Sequence, residues 1–218
     1  ALEDYSGYMD GHKLLDAYGF EMPLTKEAKA VKEAQEAAVN VGMPAVMKVD
    51  SPRISHKTEL DAVKTGLQNR EEVKREFNDM IDNVYRERPD AEINGVVVQE
   101  QLEGLEVALG MKRDPQFGPM ILVGLGGIYI EALHDISFGI APISEQEAEQ
   151  MIEELQSSDL FEGVRGEENH MEAVKRAIIQ LGELAMRREE ISEIDINPLI
   201  VKGETAYVAD IEIDFEGN

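Results

Sequence analysis

The segment INGVVVQEQLEGLEVALGMKRDPQFGPMILV, residues 93–123, decides the fold class of this chain. It contains three runs rich in β-branched and aliphatic residues, separated only by short turns. These runs span residues 93–101, 105–111 and 119–123. Strands that follow one another so closely must pair antiparallel, because a parallel connection needs a dozen or more residues. Two more adjacent strands are predicted at 191–201 and 205–213.

Helical patterns lie on both sides of this segment. Apolar residues recur with a helical period near 28–41, 73–84 and 171–185. Capping boxes, which start helices, are found at Ser144–Glu147 and Asn69–Glu72. A first helix is expected around 10–18, ending at Gly19, and two further strands at 44–49 and 60–67. This mixture predicts a mixed α/β (α+β) fold of one large domain or two small subdomains.

The chain is extremely acidic. Its 218 residues include 45 Asp and Glu but only 21 Lys and Arg, which gives a formal net charge of −24. Such a charge opposes contact with a phosphate backbone, so nucleic acid is a poor candidate partner. Because acidic residues cover whole helix faces, we interpret the surface as adapted to molar salt, where counterions screen the repulsion. An ordinary acidic protein is the alternative interpretation.

Composition also limits the chemistry. Cysteine is absent, which excludes disulfides, thiolate nucleophiles and cysteine-ligated metals. No apolar run approaches the length of a membrane span, and the first residues lack the pattern of a signal peptide. We therefore expect a folded cytoplasmic protein that binds no membrane.

A lysine inside an apolar strand is the first candidate site residue. Lys48 follows Ala45, Val46 and Met47, and an ammonium in such a strand needs an anionic partner such as a phosphate. The loop that follows holds three more cationic or titratable side chains, Arg53, His56 and Lys57. The alternative is a solvated turn in which Lys48 reaches water along its own stem.

A glycine cluster is the second candidate. Gly124, Gly126 and Gly127 follow an apolar strand, and such glycines let backbone amides approach an anion. The signal is weak by itself, because ordinary tight turns use the same residues.

The last two strands supply the third candidate. The turn Gly203-Glu204 has the Gly-X form of a two-residue type II′ hairpin, so Lys202 and Thr205 should be opposite partners. Counting outward predicts that two pairs of oxygen-bearing side chains share one face of the ribbon, Asn197 with Asp210 and Asp195 with Glu212.

Oxygen ligands of this kind suit Mg²⁺. Pro198 is the weak point of the count, because it cannot donate to the ladder and invites a bulge. A bulge of one residue would send Asp195 and Asn197 to the face opposite Asp210 and Glu212.

At these residues the chain resembles the ATP-grasp β subunits of ADP-forming acetate–CoA ligases. The resemblance runs from about residue 10 to the end, and a more distant similarity links the chain to the β subunit of succinyl-CoA synthetase. The matching motifs are Lys48, Ser51-Pro52, Ile54, His56-Lys57-Thr58, Val63-Lys64, Val98-Gln99-Glu100, Glu106-Val107, 113–119, Gly126-Gly127 and 195–198.

The resemblance implies an ATP-grasp fold of two subdomains with the nucleotide bound between them. The smaller subdomain would span approximately 20–95, and the larger 1–19 and 96–218. It also implies an α subunit or domain that binds CoA and carries a phosphohistidine. The β chain then transfers the phosphoryl group to ADP with Mg²⁺, in the reaction acyl-CoA + ADP + phosphate = acid + CoA + ATP.

The same resemblance implies roles for individual residues. His56 would be a second phosphoryl carrier, with Arg53 and Lys57 placed to stabilise the transferred charge. Lys48 would hold nucleotide phosphates and Glu106 would lie near the ribose and metal. The adenine pocket would be lined by Val98, Gln99 and Glu100, and the direct Mg²⁺ ligands would be Asn197 and Asp210.

Two departures from the family pattern leave alternatives open. Asp61-Ala62 stands where relatives usually carry Gly-Gly, which would alter how closely the loop approaches phosphate. Gly139 stands where they often carry Arg, which would remove a cation from the site. These changes favour a second interpretation, a non-catalytic ATP-grasp module that binds nucleotide for regulation in an acyltransferase-like protein. A stand-alone carboxylate–amine ligase, the third interpretation, would need an acyl-phosphate site for which no separate residues are found.

Overall fold

The computed structural model describes residues 8–51, 60–126, 135–163 and 169–216. The chain divides into two compact units, each with its own sheet. One unit comprises Ala1–Asp10 and Pro23–Leu102, and the other comprises Gly11–Met22 and Glu103–Asn218. The mixed α/β class predicted from the sequence is confirmed.

The first unit is built on a four-stranded antiparallel sheet with strand order β1-β4-β2-β3. The first helix of the chain, α1 (Tyr8–Ala17), is divided between the two units. The elements of the first unit that come after it are β1 (Thr25–Ala28), α2 (Val31–Val41), β2 (Ala45–Asp50), β3 (Val63–Leu67), α3 (Arg70–Glu87) and β4 (Gly95–Glu100). Asn69 caps α3 as predicted, since its side chain accepts a hydrogen bond of 3.0 Å from the Glu72 backbone N–H.

Helices α2 and α3 bury their apolar faces against one side of this sheet. Met47 and Val49 of β2, and Val96 and Val98 of β4, belong to the resulting core. Because side chains alternate along a strand, the residues between them lie on the other, helix-free face. That face carries Lys48, which the sequence had singled out.

The second unit is built on a six-stranded sheet in the order β10-β8-β5-β6-β7, with β9 also paired to β8. Its elements are β5 (Leu105–Asp114), β6 (Gly118–Leu125), β7 (Ile136–Ile140), α4 (Glu145–Glu153), α5 (Asp159–Glu162), α6 (Met171–Arg187), β8 (Ile191–Lys202), β9 (Thr205–Val208) and β10 (Glu212–Phe215). The predicted capping box at Ser144 and Glu147 starts α4.

One face of this sheet packs against α4 and α6 through fully buried side chains such as Leu109, Ile121 and Ile194. Residues that alternate with them, including Gly110, Leu122 and Asp195, lie on a helix-free face. Within the described ranges, none of the helices has both the length and the apolar character that a membrane span requires.

The structure differs from the sequence expectations in three places. Strands β1 and β7 were not predicted, and the run 205–213 is divided into β9 and β10. The first unit extends through β4 to Leu102, past the predicted limit at residue 95, because β4 pairs with both β1 and β2. A strand in the middle of a sheet cannot belong to another unit.

The motif at 113–119 stabilises the second unit. The Arg113 guanidinium donates to the carbonyl oxygens of Ala185 and Arg188, at 2.9 and 3.1 Å, and so satisfies groups at the C-terminal end of α6. The Asp114 carboxylate accepts from two backbone N–H groups in the turn between β5 and β6, at 2.8 and 2.9 Å. This family motif therefore builds a hairpin and anchors a helix.

Asp135 joins the start of β7 to the turn after α4, and its removal should destabilise the protein. Its buried carboxylate accepts hydrogen bonds from the backbone N–H groups of Gln156 and Ser157, at 2.8 and 2.9 Å. Burial by itself would raise the pKa of Asp135, but hydrogen bonds from Ser157 and Gln156 outweigh that effect and lower the pKa.

We expect Asp135→Ala to lower the free energy of unfolding by about 1–3 kcal/mol, because two buried N–H groups lose their acceptor. Asp135→Asn, which keeps one oxygen, is the matched control and should cost less. The lowered pKa means that the carboxylate stabilises the fold above its unfolded pKa, and that this stabilisation is lost as pH falls through the folded pKa. Urea unfolding at pH 7 and at pH 3 measures both effects. Equal stability of wild type and Asp135→Ala at pH 7 would contradict them.

Candidate functional site

Lys48 lies almost fully buried on the helix-free face of the four-stranded sheet. Only 5% of the residue is exposed, and its ammonium nitrogen stands 5.3 Å from the centre of the Tyr8 ring. A cation over an aromatic face is stabilised by the ring quadrupole. The lysine is therefore held in place, and the interpretation of a solvated turn is wrong for Lys48 itself.

Three other buried polar side chains surround the same position. The Tyr8 hydroxyl accepts a hydrogen bond of 3.0 Å from the Gln99 side-chain amide, and the Tyr8 backbone N–H donates to the Asp50 carboxylate at 3.1 Å. Asn94 donates to the other Asp50 oxygen at 3.3 Å. Sequence reasoning missed Tyr8 and Asp50, although a second charged residue two positions after Lys48 was an available signal.

The structure separates the three residues assigned to an adenine pocket. Gln99 faces the helix-free side and contacts Tyr8. Val98 is fully buried in the core with α2 and α3, and it pairs with Lys26 on one side and Met47 on the other. Its side chain is therefore a core residue, and the assignment to a ligand pocket is wrong because strand alternation turns it away.

Glu100 follows at the end of β4. One of its carboxylate oxygens accepts a hydrogen bond of 2.7 Å from the Leu24 N–H, and its own N–H donates to the Leu24 carbonyl at 2.9 Å. Gln101, the next residue, accepts from the Gly66 N–H at 2.6 Å. These contacts fix the end of β4 and leave the nucleotide role of Glu100 a prediction.

Glu106 and Gly126 meet in the second unit. The Gly126 N–H donates to the Glu106 carbonyl oxygen at 2.8 Å, so it is engaged by the protein. A side chain at position 126 would stand 3.1 Å from backbone carbons of Glu106 and Val107. The glycine is thus required by the close approach of β5, which corrects the expectation that its amide approaches an anion. The Glu106 side chain is exposed on the helix-free face.

The terminal hairpin has the predicted register. Lys202 pairs with Thr205 next to the turn, and Asp195 pairs with Glu212 farther along. Between these pairs the ladder is interrupted at Pro198, whose carbonyl oxygen accepts from the N–H groups of Ala209 and Asp210 at 3.1 and 3.4 Å. The interruption does not shift the strand register, because the pairs on both sides of it follow the same register.

Asn197 and Asp210 consequently share one face. The register is the same on both sides of the interruption, Leu199 with Val208 and Asp195 with Glu212, which leaves Asn197 opposite Asp210. Both are partly buried. The donor set of one amide and one carboxylate oxygen fits Mg²⁺.

This pair is not a complete metal site. Within 8–51, 60–126, 135–163 and 169–216, no group of three or more His, Asp or Glu could hold a metal ion. An ion bound by Asn197 and Asp210 would need further oxygen ligands, which water and nucleotide phosphates commonly supply to Mg²⁺. The ligand role of these two residues stays a prediction.

Four predicted site residues, Arg53, His56, Lys57 and Gly127, lie outside the described residues. The two departures from the family pattern can be placed. Asp61 adopts φ +53°, a conformation that favours glycine, and its carboxylate accepts from the Lys64 ammonium at 2.5 Å and from the Asn83 amide at 3.2 Å. These contacts offset the strain of a non-glycine residue there.

Gly139 lies on the helix side of the six-stranded sheet. A side chain added at this position would come within 2.7 Å of the Ile143 and Met151 side chains. The expectation that Gly139 removes a cation from the site is therefore wrong, because this position faces the core and not the face of Asn197 and Asp210.

Comparisons with known proteins identify the family of this chain. Residues 4–215 match the family model of the ATP-grasp domain. The chain is 40% identical over 203 residues to the β subunit of the ADP-forming acetate–CoA ligase I of Pyrococcus furiosus, covering 92% of this chain and 88% of that protein. It is 39% identical over 208 residues to the ADP-forming 4-hydroxybutyrate–CoA ligase of Nitrosopumilus maritimus, covering 94% of this chain but only 30% of that longer protein.

A solved structure is similar as well. It is the dinucleotide-forming acetyl-coenzyme A synthetase 1 of Ca. Korarchaeum cryptofilum, in complex with coenzyme A and Mg-AMPPCP, with its phosphohistidine segment pointing towards the nucleotide-binding site. The TM-score is 0.80 and the identity is 34%, with 96% of this chain and 92% of that chain covered.

Proposed function

Because this chain belongs to the ATP-grasp family and, within it, to the β subunits of ADP-forming acyl-CoA ligases, we propose that it performs the nucleotide half of acyl-CoA + ADP + phosphate ⇌ acid + CoA + ATP. The observation that carries the proposal is the 40% identity to a β subunit over nearly the whole of both chains. Two residue types support the proposal: a buried lysine, Lys48, would bind phosphate in the first unit, and Asn197 and Asp210 would bind Mg²⁺ in the second.

Lys48 is the proposed phosphate-binding residue. Its ammonium is buried and lies over the Tyr8 ring, and a buried cation favours an anionic ligand. Asn197 and Asp210 would hold Mg²⁺, which when bound neutralises phosphate charge during transfer. Gln99, on the same sheet face as Lys48, is a further candidate for contact with the nucleotide.

His56 is the proposed second phosphoryl carrier, a role that follows from family membership. The phosphorus–nitrogen bond of a partner's phosphohistidine breaks as a new one forms to the His56 imidazole. That second bond then breaks as the terminal phosphate oxygen of ADP bonds to phosphorus, which gives ATP and returns the neutral imidazole. Arg53 and Lys57 would stabilise the charge in transit.

The partner in this proposal is an α subunit or domain that binds CoA. The Korarchaeum relative holds coenzyme A and a phosphohistidine segment that points towards its nucleotide site. A donor of that kind must also reach this chain. In this proposal the partner binds the acyl group and selects the acyl acid.

The direct test is reconstitution. The purified chain, mixed with the CoA-binding α chain of the same organism, should make ATP from acetyl-CoA, ADP and phosphate. Assays with other acyl-CoA thioesters extend the test. ADP binding without ATP formation from any of them would overturn the catalytic proposal and favour a regulatory nucleotide-binding module.

Asp210→Asn should weaken Mg²⁺-dependent ADP binding by roughly 10- to 100-fold, because the pair with Asn197 loses its only charged oxygen ligand. Asp195→Asn is the matched control, since Asp195 is an exposed carboxylate on β8, two residues before Asn197. It should change the affinity less than about threefold. Isothermal titration with and without Mg²⁺ measures both. Equal losses in the two variants would contradict the assignment of Asp210.

A further inference from the structure

The helix-free face of the six-stranded sheet has an apolar half on β6 and β7. Two cross-strand pairs lie there, Met120 with Ile140 and Leu122 with Phe138, and Ile136 lies opposite Gly124. We call Met120, Leu122, Ile136, Phe138 and Ile140 the apolar surface. Gly139 and Ser137 alternate with the β7 members and face the helices, which fixes the direction of the apolar side chains.

The three members of this surface on β7 are exposed to solvent. The exposed fraction is 50% for Phe138, 50% for Ile140 and 36% for Ile136. Strand β7 ends the order of strands in the described sheet, so its outer backbone edge has no neighbouring strand there. Apolar side chains along a sheet edge favour pairing with another chain.

The charge pattern makes the surface stand out further. Strands β6 and β7 read GPMILVGL and ISFGI and contain no charged residue, although the whole chain carries −24. Acidic residues keep the rest of the protein dissolved and separated from other acidic proteins. The uncharged surface is therefore a place where a partner can approach without repulsion.

The same face leads to the proposed metal ligands. From β7 the register runs through Gly124 to Ala108, which lies beside the Asn197–Pro198 interruption of β8. Three strand spacings separate β7 from β8, a distance of about 14 Å. A cavity of about 470 Å³ lies on this face over β5, where Ala108 and Gly110 are small residues. It is also lined by Leu122, Phe138 and Asp195.

We infer that the apolar surface docks the α subunit or domain that brings the phosphohistidine. The inference rests on the proposed function, because it needs a phosphoryl donor. That donor must reach Asn197 and Asp210, and a segment seated on β7 lies about three strand spacings from β8, which carries Asn197. A relative indicates how large such a donor is. The segment that matches this chain is 30% of the 4-hydroxybutyrate–CoA ligase, so most of that enzyme lies outside the matched segment and must contact it.

Phe138→Glu and Ile140→Glu test this surface separately. Each places a carboxylate on the apolar surface, and each site is half exposed, so the fold should tolerate it. Met186→Glu is the matched control, because Met186 is 47% exposed on α6, on the other side of the sheet. Affinity for the α chain is measured by isothermal titration. ADP binding and melting temperature of each variant are measured in parallel.

We expect each β7 variant to bind the α chain at least tenfold more weakly, with ADP affinity and melting temperature unchanged. Met186→Glu should bind like the wild type. Unchanged α binding by both β7 variants would overturn the docking inference and leave the proposed function intact. A wild-type chain that binds ADP but does not bind the α chain would overturn the proposed function, and with it the inference that the α chain docks on this surface. A wild-type chain that dimerises alone, and is made monomeric by Phe138→Glu, would assign the surface to a second copy.

Discussion

Replacing His56 by alanine should reduce ATP formation by the reconstituted enzyme by at least about 10³-fold, because the proposed relay loses its only acceptor for the phosphoryl group. ADP binding should stay within about threefold of the wild type, since Lys48, Asn197 and Asp210 are unchanged. Steady-state assays and isothermal titration measure the two effects.

His170→Ala is the matched control for this variant. His170 precedes α6, where its Nδ1 lies 3.4 Å from the Gly203 carbonyl oxygen, and no transfer step is proposed for it. Incubation with ATP and Mg²⁺ should place acid-labile phosphate on the wild type and on His170→Ala but not on His56→Ala. Normal turnover by His56→Ala would mean that the partner's phosphohistidine delivers directly to ADP.

Removing salt should unfold the protein. With a formal net charge of −24, repulsion is screened within about 3 Å in molar KCl but extends to about 30 Å at 10 mM. We expect the melting temperature to fall by on the order of 10 °C or more between these conditions. Calorimetry over a KCl series measures the change.

A charge-reduced variant provides the control for the salt effect. Glu71, Glu87 and Glu92 are exposed, and replacing all three by glutamine removes repulsion without opening the core. This variant should lose less stability at low salt than the wild type. A melting temperature that stays flat from low to molar KCl would identify an ordinary acidic protein and remove the interpretation of salt adaptation.

Local patterns predicted the parts of the structure that depend on neighbouring residues. The turn at Gly203 determined the register of the last hairpin, and the pairing of Asp195 with Glu212 followed by counting. The N-cap of α3 at Asn69 and the capping box of α4 were also predicted, because the two partners in each lie three residues apart. These features need no knowledge of the rest of the fold.

Features that depend on distant contacts could not be predicted in this way. The contact of Tyr8 with Lys48 joins residues forty positions apart, and β1 is a polar edge strand visible only through its pairing with β4. The misassigned Val98 has the same origin. A motif identifies a stretch of three residues, whereas strand alternation decides which of them faces the site and which the core.

The position of Lys48 beneath the Tyr8 ring has an entropic consequence. A free lysine side chain loses up to about 2 kcal/mol of rotamer entropy when it is fixed. In this protein the side chain is ordered during folding, since it is 5% exposed and rests on an aromatic ring. The proposed phosphate contact therefore begins from an ordered ammonium, and the cost of immobilising it counts against folding stability and not against nucleotide affinity.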